Sequence, residues 1–314
     1  MKKKVLVIGG GTGLSTLLKG LKQFPIDITA VVSVSDDGRS TGKLRKEFHI
    51  PAVGDIRRVI LSLSETEPLF EKLWNYRFDI NSSLEGHTIG NLLLTAMIDI
   101  NGNLSSGMEA LGTVLNLKGK VLPFTEENVI LMAQMEDGNV IEGEEKITKY
   151  NSNIKDIFYK KTPKVNPSVL DAIEESDLII LSMGSLYTSI LPNLISDEVI
   201  NKIKNSKAKI IYACNMMTQP GETDNYTVSD HVKVCNRYLD KKIDAVIYNN
   251  GIISEEIKEK YETMEQKDPV IIDEEELKKL GVESIVNDYV SINDGVLRHN
   301  VEKLSLDIYT YLVR

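Results

Sequence analysis

Short runs of β-branched and aliphatic residues recur along the chain, and several of them end at glycines or hydroxyl-bearing residues. Residues 4–8 and 28–34 are two uninterrupted runs, typical of strands that are buried on both faces of a sheet. Between them, residues 14–21 have apolar positions at helical spacing. A strand, a glycine turn, a helix and a second strand form a βαβ unit, so this region predicts a parallel sheet.

Further apolar runs predict strands at residues 121–124, 129–133, 178–182, 209–213 and 245–248. Helical patterns at residues 169–173 and 225–238 lead into two of these strands. The turn residues Asp137, Gly138 and Asn139 predict a hairpin across residues 134–147. The fold class is therefore α/β: a Rossmann-like, mostly parallel sheet with helices on both faces, plus a β-hairpin.

The last part of the chain, residues 252–314, is rich in Glu and Lys. It predicts a short strand at residues 270–272 and a terminal helix at residues 300–312. The run Glu274, Glu275 and Glu276 is typical of a solvated helix start, where carboxylates meet the positive end of the helix dipole. We expect one nucleotide-binding domain over residues 1–314, with residues 252–314 as an α/β extension docked on it.

Composition excludes several classes of function. The chain has 314 residues and a net charge of −9, which offers no basic field to nucleic acid or anionic lipid. No CxxC motif and no Cys/His cluster surrounds Cys214 and Cys235, which argues against a disulfide scaffold or a zinc site. The first apolar run is too short for a signal peptide, and no run approaches the roughly 20 residues of a membrane span. We expect a cytoplasmic protein.

The first candidate site is the turn between the first strand and helix, which contains Gly10, Gly11, Thr12 and Gly13. Glycines allow a ligand to approach the backbone closely, and a helix N-terminus offers unpaired N–H donors to a phosphate. The dinucleotide pattern GxGxxG is broken by Leu14, which stands where the third glycine would be. The alternative is a tight turn that binds no ligand.

A second candidate follows the second strand, where Asp36, Asp37 and Arg39 stand among hydroxyl-bearing residues. Either aspartate could hold a hydrated Mg²⁺ against phosphates, because Mg²⁺ needs only one or two carboxylates. Arg39 could bind a phosphate through two parallel hydrogen bonds. The alternative is an Asx turn with the arginine in solvent.

The remaining candidates lie at helix starts and at the ends of later strands. Asp55 is interpreted as a helix N-cap or a cleft residue, with Arg57 or Arg58 beside it, and Asn91 as an amide directed into the cleft. Other polar groups follow two predicted strands, where open parallel sheets bind ligands: Ser185, Tyr187, Asn215, Thr218 and Gln219. The sequence reveals no nucleophile with an adjacent base.

Together these segments resemble the gluconeogenesis factor family, within the wider superfamily of 2-phospho-L-lactate transferases. The resemblance covers essentially the whole chain and rests on IGGGTGLS (8–15), DDGRSTG (36–42), GDIR (54–57), GHTIGN (86–91), LPFT (122–125), GSLYTS (184–189) and NMMTQPGET (215–223). It implies a Rossmann-like fold, a role in cell shape on gluconeogenic carbon sources, and binding of UDP-sugars such as UDP-N-acetylglucosamine. It also implies that Tyr261 and Arg298 lie near the sugar nucleotide.

Three functions remain open. A nucleotide-sugar-binding regulator is favoured, because a phosphate cradle is combined with no evident catalytic set. For such a regulator we expect an unidentified protein partner, whose binding surface the sequence does not locate. The alternative is a Mg²⁺-dependent transferase of a phospho-linked group, with Asp36 or Asp37 holding the metal. An NAD-dependent oxidoreductase is the weakest of the three, because GxGxxG is broken. The sequence leaves open whether the chain forms a homo-oligomer.

Overall fold

Seven parallel strands form the central sheet of the computed structural model, which describes residues 2–79, 82–293 and 295–314. Numbered along the chain, the strands of the described part are β1 (Lys3–Gly9), β2 (Ile26–Val32), β3 (Lys120–Pro123), β4 (Leu131–Met135), β5 (Val140–Glu142), β6 (Ile154–Tyr159), β7 (Leu178–Leu181), β8 (Lys209–Ala213), β9 (Ala245–Asn249), β10 (Glu283–Asn287), β11 (Val290–Asn293) and β12 (Val296–His299).

Helices connect most of these strands. They are α1 (Gly11–Leu21), α2 (Arg39–Phe48), α3 (Gly54–Leu63), α4 (Pro68–Asn75), α5 (Ile89–Asn101), α6 (Leu104–Val114), α7 (Glu144–Thr148), α8 (Pro167–Glu175), α9 (Asp197–Asn205), α10 (Val228–Leu239), α11 (Glu255–Glu265), α12 (Glu274–Leu280) and α13 (Val301–Val313). A π-helical turn, Leu186–Ile190, follows β7. The predicted fold class is confirmed.

The strand order of the central sheet places a switch point beside β1. The order is β10-β9-β8-β7-β1-β2-β3, so the chain winds outward from β1 through β2 in one direction and from β7 in the other. The register pairs Val7 with Ala30 of β2 and with Ile180 of β7. Because the connections after β1 and β7 leave in opposite directions, a crevice opens between them at the carboxyl ends of these strands.

The core surrounds the central strands and holds that crevice in place. Residues Val5, Leu6, Val7 and Ile8 of β1 are exposed by 1% or less, as the uninterrupted apolar run predicts. On one side α1 packs against α3 and α13. A Cβ atom at Gly20 of α1 would lie 2.2 Å from Ser305 Oγ of α13, so only glycine allows these two helices to approach so closely.

A separate antiparallel sheet corrects one prediction. The turn at Asp137–Asn139 joins β4 to β5, but the hairpin ends at Glu142, and residues 144–148 form α7 instead of continuing the strand. Strand β6, which the sequence analysis missed, pairs with the other side of β4. Only three of its six residues are buried and they do not alternate strictly, so it has neither the continuous apolar run of a buried strand nor a regular two-residue period.

The C-terminal part contributes an edge to the central sheet. Strand β10 pairs in parallel with β9, and β11 and β12 form a small antiparallel hairpin. The predicted strand at residues 270–272 is wrong: Ile271 and the neighbouring Pro269 make only isolated bridges, to Thr227 and Met217. Proline removes a ladder donor, which limits pairing there. The predicted terminal helix is confirmed as α13, and the Glu274 helix start as α12.

Among the described residues, no helix combines the length and the apolar character that crossing a bilayer requires.

Candidate functional site

A cavity of about 220 Å³ lies at the switch point, at the carboxyl ends of β1, β2 and β7. Loops after four parallel strands contribute to its lining, with Gly11 after β1, Ser33 and Asp36 after β2, Ser185 and Ser189 after β7, and Gln219 after β8. The starts of α3 and α7 complete it with Asp55, Arg58 and Glu144. The candidate segments after β1, β2, β7 and β8 therefore converge on one edge of the sheet, as predicted.

The glycine turn after β1 is shaped by close packing. A Cβ atom at Gly13 would lie 1.1 Å from the carbonyl oxygen of Met183, and one at Gly10 would lie 2.7 Å from Asp55 Oδ2. Gly11 has φ +63°, in the left-handed region that favours glycine. Gly11 begins α1, so the helix N-terminus faces the cavity. The turn thus brings a helix start, the β7 connection and Asp55 together.

Asp55 is not the N-cap of its helix, which corrects one of the two interpretations. Val53 occupies that position, and Asp55 lies in the first turn of α3. Its carboxylate accepts a hydrogen bond from the backbone N–H of Gly11 and lies 3.7 Å from Arg58 Nη1. The carboxylate therefore occupies a position beside the helix start of α1 where an anionic ligand would compete for the same donor.

Three carboxylates share the wall of the cavity. Burial, and then the negative charge of Asp36, raises the pKa of Asp55 to about 6, while Arg58 and the Gly11 N–H oppose the shift. Burial, followed by the charges of Asp36, Asp55, Asp37 and Glu222, raises the pKa of Glu144 to about 8. At neutral pH a fraction of these groups is protonated, so the wall carries less negative charge than its composition indicates.

The loop after β2 is held by an arginine that the sequence analysis missed. Arg45 of α2 is buried and donates to the carbonyl oxygens of Ser35 (3.1 Å) and Asp36 (2.8 Å). Asp36 Oδ1 accepts from the N–H of Gly38 at 3.0 Å, which is an Asx-type turn. The side chain of Arg39 lies outside the described part of the structure.

The two neighbouring aspartates have different surroundings. Asp36 lines the cavity, whereas Asp37 Oδ1 accepts from the backbone N–H of Glu145 at 2.9 Å and connects the β2 loop to α7. Within residues 2–79, 82–293 and 295–314, no group of three Asp, Glu, His or Cys side chains is arranged to hold a metal ion. Asp36 alone could still contact a hydrated Mg²⁺ that is otherwise held by a phosphate ligand.

Ser185 and Glu222 form a pair that the sequence analysis did not anticipate. The Ser185 hydroxyl donates to Glu222 Oε2, and it accepts from Thr188 N (3.0 Å) and Thr188 Oγ1 (2.6 Å). Glu222 is only 2% exposed, and burial raises its pKa to about 7, opposed by hydrogen bonds from Ser185, the Tyr187 backbone and Thr188. A hydroxyl beside a carboxyl group that titrates near neutrality can exchange a proton.

Several predicted site residues have structural partners away from the cavity. The Tyr187 hydroxyl contacts the Tyr226 hydroxyl at 2.9 Å, and Thr218 Oγ1 accepts from Asp268 N at 3.0 Å. The Asn91 amide donates to Ser40 Oγ at 3.1 Å. In the described part of the structure, Tyr187, Thr218 and Asn91 do not contribute to the lining of the cavity. Gln219 does line it, and its Oε1 atom is buried with no hydrogen-bond partner in the part of the chain that the structure describes.

Of the remaining predicted residues, some line the first cavity and others make structural contacts beside it. Thr12 is exposed in the first turn of α1, and its carbonyl oxygen accepts from Ser15 Oγ at 2.9 Å. Of the two arginines of α3, Arg58 lines the cavity, while Arg57 is buried and donates to Asn75 Oδ1 at 2.6 Å. Asn215 donates to the carbonyl of Gly184 at 2.8 Å and so connects the β8 loop to the β7 turn.

A second cavity, of about 240 Å³, lies beside the ends of β8 and β9. Its lining includes Asn215 and Met216 after β8 and Asn249 and Asn250 at the end of β9. Tyr261 and Arg298, which the resemblance places near the sugar nucleotide, lie on the side of the molecule that contains this second cavity. The Tyr261 ring is buried against Met216, Ile253, Ile257 and Leu297, and its hydroxyl accepts from Leu297 N at 2.9 Å. Arg298 is exposed on β12.

Sequence reasoning missed Ser33, Arg45, Glu144 and Glu222, which lie in or beside the first cavity. Glu222 stands within the motif of residues 215–223, so its place at the end of a strand was a usable signal. Glu144 had none, because it reaches the cavity only through the tertiary contact between the start of α7 and the loop after β2.

Comparisons with known proteins agree with the resemblance. The family model described as 2-phospho-L-lactate transferase CofD matches residues 5–290. The chain is 47% identical over 308 residues to the gluconeogenesis factor of Halalkalibacterium halodurans, covering 97% of this chain and 95% of that protein. It is 47% identical over 308 residues to the gluconeogenesis factor of Bacillus subtilis, covering 97% and 96%.

A solved structure shares the fold throughout. An X-ray crystal structure of a protein from Bacillus halodurans superposes with a TM-score of 0.95 and 46% sequence identity, and the match covers 100% of both chains. The family model and these relatives establish that the chain belongs to the 2-phospho-L-lactate transferase CofD family, alongside the proteins named gluconeogenesis factor.

Proposed function

We propose that this protein is a cytoplasmic nucleotide-sugar-binding regulator that supports cell shape on gluconeogenic carbon sources, with UDP-N-acetylglucosamine as the type of ligand. The observation that carries the proposal is the convergence of loops after β1, β2, β7 and β8 on one cavity at the switch point. Open parallel sheets bind nucleotides at this location. The name shared by relatives at 47% identity supports the regulatory role.

The diphosphate is assigned to the glycine turn. Gly11 supplies the start of α1, and Arg58 supplies a positive charge on the same wall. The ligand would displace the Asp55 carboxylate from the Gly11 N–H, and Arg58 lies 3.7 Å from that carboxylate, close enough to change partners. Ser185, Thr188 and Ser189 line the same cavity, and the Ser189 hydroxyl can hydrogen-bond to the sugar.

Titration calorimetry with UDP-N-acetylglucosamine tests the proposal. We expect binding by the wild type, at least a tenfold loss of affinity in Arg58→Gln, and a change of less than twofold in Arg314→Gln. Arg314 is a suitable control because it also pairs with a carboxylate, Glu283, at 2.9 Å, but does not line the cavity. Absence of heat from the wild type at millimolar ligand would reject the proposal.

A Mg²⁺-dependent transferase of a phospho-linked group is the second candidate. It is favoured by the family model and by the contact between Ser185, which lines the cavity, and the buried Glu222. A carboxyl group with a pKa of about 7 can accept a proton that a substrate hydroxyl passes through the Ser185 hydroxyl. Incubation with nucleotide donors, acceptors and Mg²⁺, followed by mass spectrometry, tests it. Product from the wild type that is lost in Glu222→Gln would support this candidate, and no product across a broad panel would count against it.

A further inference from the structure

Arg57 of α3 carries a buried positive charge that makes no ion pair with any carboxylate of the described residues. It is 6% exposed, and its Nη1 atom donates to the neutral amide oxygen of Asn75 at 2.6 Å. Its Nε atom is buried with no hydrogen-bond partner in the described part of the chain. Burial, followed by the charges of Arg58 and Arg77, lowers the pKa of Arg57 to about 10, with Asp55 opposing. Because buried charges in proteins are normally paired, this guanidinium indicates an anion from outside the chain.

The Arg57 side chain lies across the first turn of α5, a helix of 13 residues with Thr88 as its N-cap. A Cβ atom at Gly90 would lie 2.6 Å from Arg57 Cδ and 2.7 Å from Trp74 Cε2, so the absence of a side chain at Gly90 allows the arginine to cross the helix start. The free Nε–H group is therefore held at a helix N-terminus, where backbone N–H groups and the helix dipole also favour an anion.

Asn91, on the same turn of α5, offers a second unpartnered group. It is 4% exposed, and its Oδ1 atom is buried without a partner among the described residues, while Nδ2 donates to Ser40 Oγ at 3.1 Å. A half turn of the amide would let the Ser40 hydroxyl donate to Oδ1 instead and would leave the amide N–H groups free for an oxyanion.

Further positive charges surround this helix start. The backbone of Arg77 forms an isolated bridge with Thr88, which places this exposed arginine beside the N-cap of α5. His87 directly precedes the N-cap; burial and then the charges of Lys43 and Arg77 lower its pKa, with Glu47 opposing. Within the described residues, neither Lys43 nor Arg77 forms an ion pair. In a protein with a net charge of −9, this grouping gives a local positive field.

The start of α5 is separate from the first cavity. Arg57 and Arg58 are neighbours on α3, but Arg58 lines that cavity and lies 3.7 Å from Asp55, whereas Arg57 contacts α4 and α5. We propose that the start of α5 binds a phosphate group through Arg57, Arg77 and the N–H groups of its first turn. Arginine suits phosphate because its planar fork can donate two parallel hydrogen bonds. The proposal does not depend on the nucleotide-sugar function, and it gives the protein a second small-molecule input.

Titration calorimetry with inorganic phosphate and with glucose 6-phosphate tests this site, and the ligand that binds more tightly identifies the source of the phosphate group. We expect Arg77→Gln to weaken binding of that ligand at least fivefold and Arg237→Gln to change it less than twofold. Arg237 is a matched control, because it is also exposed and also donates to a backbone carbonyl, that of Lys155 at 3.4 Å. No heat from the wild type with either ligand at tens of millimolar would overturn the proposal.

Two further variants separate this site from the first cavity. Arg57→Gln should weaken phosphate binding at least tenfold, and thermal unfolding establishes whether this variant is folded. If it is not folded, the exposed Arg77 carries the test alone. Phosphate should raise the melting temperature of the wild type and of Arg58→Gln, and raise that of Arg77→Gln much less. Binding that is lost in Arg58→Gln and retained in Arg77→Gln would place the phosphate in the first cavity and overturn the proposal.

Discussion

Gly13 shows that the glycine turn has a packing role in addition to the binding role proposed for it. The turn was predicted as a phosphate cradle, and the structure adds that a Cβ atom at Gly13 would lie 1.1 Å from the Met183 carbonyl oxygen. The β7 connection therefore packs directly on the first turn of α1. A substitution at Gly13 should therefore lower the stability of the folded protein even when no ligand is bound.

Replacement of Gly13 by alanine should destabilise the protein by about 2–3 kcal/mol, because backbone atoms must move to relieve the overlap. Gly112→Ala within α6 is the control, since its Cβ atom would meet only the flexible Leu117 side chain at 3.1 Å. Urea unfolding of the two variants measures the difference. Equal stability of Gly13→Ala and the wild type would contradict the close contact.

The raised pKa of Glu144 predicts how the stability of the protein depends on pH. Its pKa rises from 4.5 to about 8 on folding, so between these values the folded state binds more protons than the unfolded state and stability falls as pH rises. Glu144→Gln should therefore gain stability at pH 9, by about 1–2 kcal/mol after allowance for its partial exposure, and gain little at pH 4.5. Melting temperatures at both pH values test this, and an equal gain at both would contradict it.

At the element scale, Glu222 connects two loops of the site. It accepts hydrogen bonds from Ser185, Thr188 and the backbone of Tyr187, and so fixes the π-helical turn after β7 to the loop after β8. Such turns are frequent at functional sites. The position of the Ser185 and Thr188 hydroxyls depends on this one carboxyl group.

Glu222→Ala should lower the free energy of unfolding by about 2–4 kcal/mol, because buried donors lose their acceptor. The control is Glu175→Ala, whose carboxylate pairs with Lys4 on the surface at 2.6 Å and should have a small effect by comparison. Denaturant unfolding compares the two. If both variants lose the same amount, Glu222 does not connect the loops as described.

The elements differ in how far the sequence could predict them. The buried strands β1, β2, β7, β8 and β9 were found because each is an apolar run ended by polar or glycine residues. Strand β10 was missed because it lies at the sheet edge, where Glu283 and Ser284 are exposed and no continuous apolar run is needed. Of the site, the loop positions were predictable, whereas Glu144 and Arg45 depend on tertiary packing that leaves no local pattern.

The whole molecule carries a net charge of −9, and three of its carboxyl groups, Asp36, Asp55 and Glu144, line the cavity that holds the proposed anion position. An anionic ligand favours the protonated forms of Glu144 and Asp55, whose pKa values are about 8 and about 6. A divalent cation would favour the deprotonated forms instead. Proton uptake on ligand binding therefore indicates that protonation neutralises the carboxyl groups, whereas proton release indicates that a divalent cation does so.

Without Mg²⁺, the affinity for UDP-N-acetylglucosamine should increase as pH falls from 9 to 6, with net uptake of protons. Calorimetry in two buffers with different ionisation enthalpies measures this uptake. Added Mg²⁺ should reduce or reverse it. Affinity that is independent of pH in the presence of a chelator would show that these carboxyl groups do not face the ligand.

The close contact between α1 and α13 affects how the chain folds while the ribosome is still synthesising it. Gly20 near the beginning of the chain packs on Ser305 and Val301 near its other end. While a ribosome is still translating the intervening residues, that face of α1 has no partner and its apolar side chains remain accessible. We therefore expect nascent chains that stop before residue 301 to be held by chaperones, and release to follow once α13 has emerged.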